Sequence, residues 1–432
     1  MKIVAVGKSD IGKKRGHNED SLVMDPELSL FVVCDGMGGH AAGDVASQTA
    51  ARAVVESVRQ RQGLLHAFDD STESRDALVE LVEEAVQDAS RAVHRVAHSE
   101  QGRAGMGTTL TLVLFARGVG VMAHVGDTRL YLLRDGSIHQ LSEDHTYVQE
   151  MVRRGIVTLE QAKGGPWANV ITRAVGIQEN VRVDTLLFDI LAGDTLVLCS
   201  DGLSKYVDTN ELPAFVGGKD LAAMSQTLID TANERGGSDN VTAILMRAEM
   251  EPGDDDLFDR GRTTEVNLRI DTLQHVVIFR HLDMSEVYKV LGMVRPVDVN
   301  KGEMMIKEGD RSDALYIILD GALVVTRGGQ PIVTLGPGEH FGEMALFNNR
   351  PRSATVTVAT ATARLLVIER ERFNELVRKE PLLGTKMLWC LSQVLSARLD
   401  DATAALAGTE RGSFESEVTS PFRERPTSST QS

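Results

Sequence analysis

The chain has 432 residues, of which 42% are hydrophobic, enough for two or three domains that each have a core. Its formal net charge is −16 at pH 7, so no overall positive field attracts nucleic acid or an anionic membrane surface. No stretch offers about 18 uninterrupted apolar residues, and the N-terminus lacks the apolar core of a secretory signal. We therefore expect a cytoplasmic protein without nucleic-acid or membrane partners.

The cysteines, Cys34, Cys199 and Cys390, are far apart in the chain and odd in number. Each lies in apolar sequence, which disfavours both a disulfide framework and a zinc site. We expect three buried thiols in a reducing compartment.

The first informative element is the stretch "LFVVCDGMGGHAAGD", which begins at Leu30. Its apolar, β-branched start predicts a short buried strand over Leu30–Val33. Asp35 follows at the strand end, where Gly36, Gly38 and Gly39 leave the backbone open to close approach by another group. Taken alone, the Asp-Gly pair is also compatible with an ordinary hairpin turn.

Several other carboxylates stand beside apolar runs in the first part of the chain. Any one of them could be a cap or turn residue, but buried like charges that converge at one sheet edge need a cation between them. Oxygen ligands without His or Cys at metal spacing favour Mg²⁺ or Mn²⁺ over Zn²⁺. The residues are Glu19 and Asp20 in "KRGHNEDS", Asp127 after "GVMAHVG", Asp201 after Thr195–Cys199, and Asp239 in "GGSDNVTAILM".

Composition and hydrophobic periodicity predict four segments. Strand-like and helix-like runs alternate over residues 1–248, and an acidic stretch with Pro and Gly, residues 249–267, predicts an exposed linker. Residues 268–400 open with helical spacing and continue as short strands interrupted by glycine turns. Residues 401–432 are polar and rich in Ser and Thr, which predicts a disordered tail.

Residues 2–248 resemble the bacterial metal-dependent, type 2C (PPM) serine/threonine protein phosphatases. The resemblance rests on an ordered series of motifs: "RGHNED", "DGMGGH", "GMGTTL", "HVGDTRLY", "LSEDHTYVQEMVRRG", "NVITRAVG", "CSDGLS" and "GGSDNVT". It implies an α+β fold in which an αββα sandwich carries a metal centre at one end. It also implies hydrolysis of phosphoserine and phosphothreonine on proteins, the products of serine/threonine kinases.

The resemblance implies two Mn²⁺ or Mg²⁺ ions, with a third and weaker position. Asp35 is expected to bridge two ions and Gly36 to offer its carbonyl. Asp201 and Asp239 are expected to complete the shell of one ion.

The same resemblance assigns the remaining polar residues of these motifs. Glu19 and Asp20 match the acidic pair that serves the other ion directly or through water. Asp127 matches the third metal position, which Asp201 could share. Arg15 matches the phosphate-binding arginine, whose planar fork pairs with two phosphate oxygens.

One position departs from many eukaryotic members of the family. They carry a histidine directly after the Asp-Gly, whereas this chain has Met37, as bacterial relatives often do. The identity of the general acid therefore stays open. The segment from Tyr147 to Ala174 matches the mobile flap beside the site.

The stretch "FGEMALFNNRPRSATV" resembles the phosphate-binding cassette of cyclic nucleotide-binding domains, and the likeness extends over about 130 residues. It implies a β-roll with flanking helices, in which Glu343 binds the ribose 2′-hydroxyl and Arg352 the cyclic phosphate. Ala354 stands where many cGMP-selective domains carry Thr, which favours cAMP over cGMP. The residues implied at this site are Gly342, Glu343, Ala345, Arg352, Ser353 and Ala354.

Two functions of different class follow from these resemblances. The first is a protein phosphatase regulated by cyclic nucleotide, with the helical run Leu382–Leu399 as the moving part. The second is a non-catalytic cyclic nucleotide receptor or docking protein with an inert phosphatase fold. No implied metal ligand is missing, and the 32 residues after Asp400 are too few and too polar for a DNA-binding domain. The sequence therefore favours the enzyme.

Overall fold

The architecture is that of a computed structural model, which describes residues 1–38, 42–99, 105–158, 161, 167, 170–250, 256–311 and 313–407. The chain divides into two units, Met1–Arg262 and Thr263–Ser432. Gly39 and residues 408–432 of the predicted tail lie outside the described residues.

Antiparallel strands of the first unit form two sheets. One has the order β1-β11-β10-β7-β8, and the other has the order β2-β3-β5-β6-β9 with β4 paired to β3. The strands are β1 (Lys2–Asp10), β2 (Asp20–Asp25), β3 (Leu30–Met37), β4 (Gly107–Thr108), β5 (Leu110–Ala116), β6 (Val119–Val125), β7 (Arg129–Arg134), β8 (Ser137–Gln140), β9 (Asp184–Asp189), β10 (Thr195–Cys199) and β11 (Val241–Glu249).

Helices cover the outer faces of these two sheets. α1 and α3 pack on the sheet that contains β3, and α7 packs on β1 and β11. In α1 the spacing of four between Ala46, Ala50, Val54 and Val58 places all four on one buried face. The helices are α1 (Gly43–Gln60), α2 (Gly63–Ala67), α3 (Thr72–Ser99), α4 (Tyr147–Arg153), α5 (Asp201–Ser204), α6 (Leu212–Val216) and α7 (Leu221–Glu234), with a 3₁₀ turn at Thr209–Glu211.

The side chains of β3 alternate between two buried faces, which explains its uninterrupted apolar run. Leu30, Val32 and Cys34 belong to the core beneath α1 and α3. Phe31 and Val33 are buried but point the other way, toward the second sheet, because successive side chains of a strand face opposite sides. Asp35 continues that second series. The predicted αββα sandwich is confirmed, with both strand faces buried.

The second unit is a β-roll made of two four-stranded antiparallel sheets, ordered β12-β19-β14-β17 and β13-β18-β15-β16. Ile318, Leu323 and Leu365 fill the space between the sheets. The strands are β12 (Arg295–Asn300), β13 (Met304–Ile306), β14 (Ala314–Asp320), β15 (Leu323–Arg327), β16 (Gln330–Leu335), β17 (His340–Phe341), β18 (Thr355–Val358) and β19 (Thr362–Glu369). The predicted β-roll is confirmed.

Helices precede and follow the strands of the β-roll along the chain. α9 begins with a capping box in which Asp283 and Glu286 each accept the other's main-chain N–H, both at 2.9 Å. The helices are α8 (Asp256–His275), α9 (Met284–Leu291), α10 (Arg370–Lys379) and α11 (Pro381–Ala407), with 3₁₀ turns at Val277–Phe279 and Glu343–Leu346.

Two helices extend into segments where the sequence predicts irregular chain. α8 begins inside the predicted linker 249–267, where Val266 is buried. α11 continues to Ala407, past the predicted start of the tail at residue 401. All three cysteines are buried and free. None of the helices in the described ranges combines the length and the apolar character needed to cross a membrane.

Candidate functional site

The centre of the site is a pair of aspartates on neighbouring strands. Asp20 of β2 stands directly opposite Asp35 of β3 in the antiparallel register, so both side chains leave the same face of the sheet. Asp20 Oδ2 accepts hydrogen bonds from Ser200 Oγ at 2.8 Å and from Thr242 Oγ1 at 2.6 Å. Within the described part of the chain, its other oxygen, Oδ1, is buried without a hydrogen-bond partner. One oxygen is therefore fixed and the other is available to a ligand.

The main chain around Asp35 is held on both sides. Its N–H donates to Thr109 Oγ1 at 3.0 Å, and its carbonyl accepts from the Thr109 N–H at 2.8 Å. Gly36 donates its N–H to the Glu19 carbonyl at 3.1 Å. A Cβ at Gly36 would lie 2.0 Å from the Gly43 carbonyl oxygen and 2.6 Å from that of Glu19, so only glycine fits there.

Three further aspartates lie next to the ends of other strands. Asp201 begins α5 directly after β10, Asp239 lies just before β11, and Asp127 follows β6. Asp127 is buried, and Asp201 Oδ1 is a buried oxygen with no hydrogen-bond partner among the described residues. The structure thus places all five predicted aspartates at strand ends of the sandwich.

The electrostatics show that these carboxylates act on one another. Burial, then the charges of Asp20, Asp201, Asp127 and Asp239, hold the pKa of Asp35 well above its ordinary value. Burial is also the main cause that raises the pKa of Asp20 and of Asp127 to about 7. Such a cluster ionises fully only if a cation offsets the repulsion.

The donor set fits a hard divalent cation. In the described ranges, no three Asp, Glu, His or Cys side chains lie close enough to hold a metal ion by themselves. Mg²⁺ keeps several of its waters and binds through one or two carboxylates, so it does not require a closed cage of side chains. Asp20 Oδ1 and Asp201 Oδ1, buried and without a hydrogen-bond partner in the described part of the chain, are suited to such an ion.

Arg15 and Glu19 lie at the rim of the cluster. The Arg15 guanidinium is 47% exposed, and its Nη2 is 2.8 Å from Asp239 Oδ2. Its Nη1 is 3.8 Å from Glu19 Oε2. The hydrogen bond with Asp239 is the main cause that raises the pKa of Arg15. The predicted phosphate-binding arginine therefore borders the carboxylates while it faces solvent.

Asn240 is a supporting residue without a predicted role, although it lies in the "GGSDNVT" motif. Its Oδ1 accepts from the Glu19 N–H at 2.8 Å, and its Nδ2 donates to the carbonyls of Ile11 at 3.0 Å and His17 at 2.9 Å. The side chain thus fixes the loop that carries Arg15 and Glu19 to the start of β11.

The predicted flap, Tyr147 to Ala174, is described in part. It opens with the helix α4, and its base is paired by a bridge between Thr146 and Ile171. Residues 159, 160, 162–166, 168 and 169 lie outside the described residues. Met37, at the end of β3, is half-buried.

The second unit gathers its predicted residues on one turn. Gly342 has a left-handed φ of 84° and leads into the 3₁₀ turn Glu343–Leu346, in which the Ala345 N–H donates to the Gly342 carbonyl at 3.0 Å. Arg352 is buried, and its guanidinium donates to the carbonyls of Gly342 at 3.1 Å and Ala314 at 2.8 Å. Ser353 is exposed on the same loop, and Ala354 is half-buried.

A residue with no role predicted from the sequence contacts this turn. Arg398 of α11 is 2.5 Å from Glu343 through Nη1 and Oε1, while the Glu343 side chain is buried. The sequence offers no local signal for this pair, because the two residues are 55 positions apart. The carboxylate expected to bind a ribose hydroxyl is thus held by the C-terminal helix.

Family comparisons agree with both units. The protein phosphatase 2C model matches residues 6–246, over half of the chain. The chain belongs to the protein phosphatase 2C family. A cyclic nucleotide-binding domain model matches residues 296–380.

Relatives of the first unit include whole proteins of about its size. The serine/threonine phosphatase stp of Listeria welshimeri is 37% identical over 253 residues, which cover 57% of this chain and 97% of that protein. The crystal structure of Mycobacterium tuberculosis PstP/Ppp has a TM-score of 0.52 and 35% identity, and covers 58% of this chain and all of its own. The catalytic domain of PstP in complex with two manganese ions has a TM-score of 0.50 and 34% identity, over 57% of this chain and 99% of its own.

These findings confirm the predicted architecture. The chain is a bacterial-type 2C phosphatase domain joined to a cyclic nucleotide-binding domain, and it is an enzyme of the protein phosphatase class. The domain bounds and the residue roles stay predictions.

Proposed function

We propose that this enzyme hydrolyses phosphoserine and phosphothreonine on proteins, using water activated at a centre of two Mn²⁺ or Mg²⁺ ions. The observation that carries the proposal is the cluster of crowded aspartates, in which buried oxygens of Asp20 and Asp201 have no hydrogen-bond partner among the described residues. The names of the relatives and the two manganese ions in one of them support it. The alternative of an inert phosphatase fold is not favoured, since each implied ligand residue is present.

The chain's own residues would hold the ions as follows. Asp35 would bind both ions, and Gly36, where only glycine fits between the Gly43 and Glu19 carbonyls, would offer its own carbonyl. Divalent ions in such a site activate water as a nucleophile and stabilise charge on the phosphoryl group. The other residues we propose around the ions, directly or through metal-bound water, are Asp201 and Asp239 at one ion, Glu19 and Asp20 at the other, and Asp127 at a weaker third position.

The surroundings keep these groups in place. Ser200 and Thr242 fix one oxygen of Asp20, so that its second oxygen has a set direction. Thr109 holds the main chain of Asp35. Arg15 would bind two phosphate oxygens through its guanidinium, giving up part of its contact with Asp239 when substrate enters.

The proposal is tested by Asp35→Ala in the full chain, with para-nitrophenyl phosphate and Mn²⁺. Hydrolysis should fall by about a hundredfold or more, because metal catalysis supplies several kcal/mol. The fold should persist by circular dichroism, since the deleted charge was repelled by its neighbours. Arg15→Ala should instead raise KM and leave Mn²⁺ binding intact. Mn²⁺-dependent turnover that survives in Asp35→Ala contradicts the assignment.

For the second unit we propose regulation by a cyclic nucleotide, with cAMP favoured over cGMP. Glu343 would bind the ribose hydroxyl and Arg352 the phosphate, with Gly342, Ala345 and Ser353 adding hydrogen bonds. The fixed turn and the buried Glu343 and Arg352 support this proposal. Ala354, where cGMP-selective domains often carry Thr, favours cAMP.

A further inference from the structure

His145 lies behind the aspartate cluster and is only 5% exposed. Two hydrogen bonds join it to Gly126, the residue before Asp127. The His145 main-chain N–H donates to the Gly126 carbonyl at 2.7 Å, and the Gly126 N–H donates to His145 Nδ1 at 3.1 Å. Because Nδ1 accepts, the ring carries its proton on Nε2.

The opposite edge of the ring is also fixed. Nε2 donates to Asp184 Oδ2 at 3.0 Å. Arg173 Nη1 donates to Asp184 Oδ1 at 2.7 Å. Its 3.0 Å contact with His145 Nε2 joins two donors in this tautomer and is not a hydrogen bond. The His124 ring packs against it, tilted by 40° with centroids 4.7 Å apart. The imidazole therefore has one orientation, set from three sides.

The segment that His145 holds also packs against Thr109. Gly126 has a φ of 113°, and a Cβ there would lie 2.5 Å from Thr109 Cβ. Thr109 is the residue that binds the Asp35 main chain through both its hydroxyl and its N–H. Gly126 is thus packed between His145 and the support of Asp35, with Asp127 next in the chain.

The flap begins two residues after His145, at Tyr147. The Thr172 N–H donates to the His145 carbonyl at 2.7 Å, and the Tyr147 N–H donates to the Val170 carbonyl at 2.8 Å. Main-chain pairing therefore joins the start and the end of the flap segment at His145.

We propose that His145 is a positioning residue for the weakest metal ion: through Nδ1 it fixes the Gly126–Asp127 main chain so that the Asp127 carboxylate faces the cluster. The inference rests on the proposed function, because it needs Asp127 to be a metal ligand. Groups that orient ligands in this way typically account for about 10- to 100-fold in metal affinity.

Two conservative variants separate this role from a general structural one. His145→Asn keeps an amide oxygen near the position of Nδ1, which can accept the Gly126 N–H. His145→Gln keeps an amide nitrogen near the position of Nε2, which can donate to Asp184 but leaves Gly126 without its acceptor. A merely structural histidine would tolerate or reject both changes alike.

The experiment is a calorimetric titration of the full, EDTA-treated chain with Mn²⁺, with Asp127→Ala as the reference for loss of the weakest ion. His145→Gln should weaken the weakest binding event by about tenfold or more, as Asp127→Ala does, and leave the tighter ions unchanged. His145→Asn should stay within about threefold of the wild type, since it keeps the acceptor. If His145→Gln fails to fold by circular dichroism, Asp184→Ala and Asp184→Asn provide the same contrast, because only Asn can still accept from Nε2.

Wild-type Mn²⁺ binding in His145→Gln, or equal losses in the Gln and Asn variants, overturns the role of His145. In the Asp184 pair, equal behaviour of the two variants does the same. Wild-type binding in Asp127→Ala overturns this inference together with the Asp127 assignment. Para-nitrophenyl phosphate hydrolysis with Asp35→Ala tests the proposed function separately from all of these outcomes.

Discussion

Asp127 shows at the scale of one residue how the site opposes the stability of the fold. Burial, followed by the charges of Asp201 and Asp144, raises its pKa to about 7, and Arg129 opposes the shift only in part. At neutral pH the folded chain therefore holds a carboxylate whose ionised form is disfavoured by its surroundings. An unfolded chain exposes the same group to water and avoids this cost.

The sign of the pH dependence follows from that shift. Between the ordinary value of 3.8 and about 7, the folded state binds more protons at Asp127 than the unfolded state does. The contribution of Asp127 to stability therefore falls as pH rises through this window and stays low above it.

We predict that Asp127→Asn removes this part of the pH dependence. In EDTA, the Tm of the variant minus that of the wild type should be several degrees larger at pH 8 than at pH 5. Each kcal/mol of stability moves Tm by about 2–4 °C in a domain of this size. Differential scanning calorimetry of both proteins measures the double difference, in which the titrating groups that do not interact with Asp127 cancel. Parallel Tm curves for the two proteins would exclude the predicted shift.

At the scale of elements, α11 contacts the turn Glu343–Leu346 through one ion pair. It contains the run Leu382–Leu399, which the sequence predicts as the moving part, and it carries Arg398 to the buried Glu343. A ribose hydroxyl that donates to Glu343 would compete with Arg398 for the same carboxylate. A bound nucleotide and Arg398 of α11 would therefore compete for the Glu343 side chain.

We predict that Arg398→Ala binds cAMP more tightly. Arg398 is about half exposed, so the pair is screened, and a change of ~0.5–1 kcal/mol corresponds to about two- to fivefold in Kd. Calorimetry on the full chain measures it. Lys386→Ala is the matched control. Lys386 lies on α11 like Arg398, but it pairs with Glu286 of α9 at 2.7 Å and not with Glu343. Weaker cAMP binding in Arg398→Ala would show that the pair prepares the pocket instead of blocking it.

The strands and the carboxylates of the site could be predicted because each carboxylate adjoins a short apolar run. The part of helix α8 that lies before residue 268 could not, since it falls in an acidic stretch that carries Pro and Gly. One buried apolar residue there, Val266, does not establish a helical period against that background.

The supporting contacts of the site could not be predicted either, for a different reason. Asp20 meets Ser200 and Thr242 across 180 and 222 positions, and only the register of two sheets brings them together. Neither the Asn240 contacts nor the pairing of His145 with Gly126 has a local pattern. Motifs locate groups that act on a ligand, whereas the fold selects the groups that hold them.

At the scale of the whole molecule, the two units share one chain, and regulation requires that nucleotide binding change the activity of the phosphatase unit. A ligand shifts such an equilibrium only by its difference in affinity for the two states. Typical couplings are ~1–3 kcal/mol, which corresponds to about 5- to 150-fold. The size of the effect is therefore measurable even at the lower bound.

We predict that cAMP changes turnover of a phosphothreonine peptide by the full chain about fivefold or more. Arg352→Ala should abolish this response and keep basal activity near the wild type, because Arg352 lies in the second unit. Arg350→Ala is the matched control, since Arg350 is an exposed arginine on the same loop. Tight cAMP binding without any change in turnover would mean that the β-roll acts in localisation or partner choice.

The crowding of carboxylates around Asp35 also bears on laboratory evolution of this enzyme. Substitutions that remove charge from Asp20, Asp35 or Asp127 relieve repulsion in the fold, and selection for stability tends to act against strained functional groups. A library screened for heat resistance in the presence of a chelator would therefore accumulate inactive variants with changes at these positions. The same library screened with Mn²⁺ should retain the aspartates, because ions that bind only the folded state then stabilise the charged carboxylates.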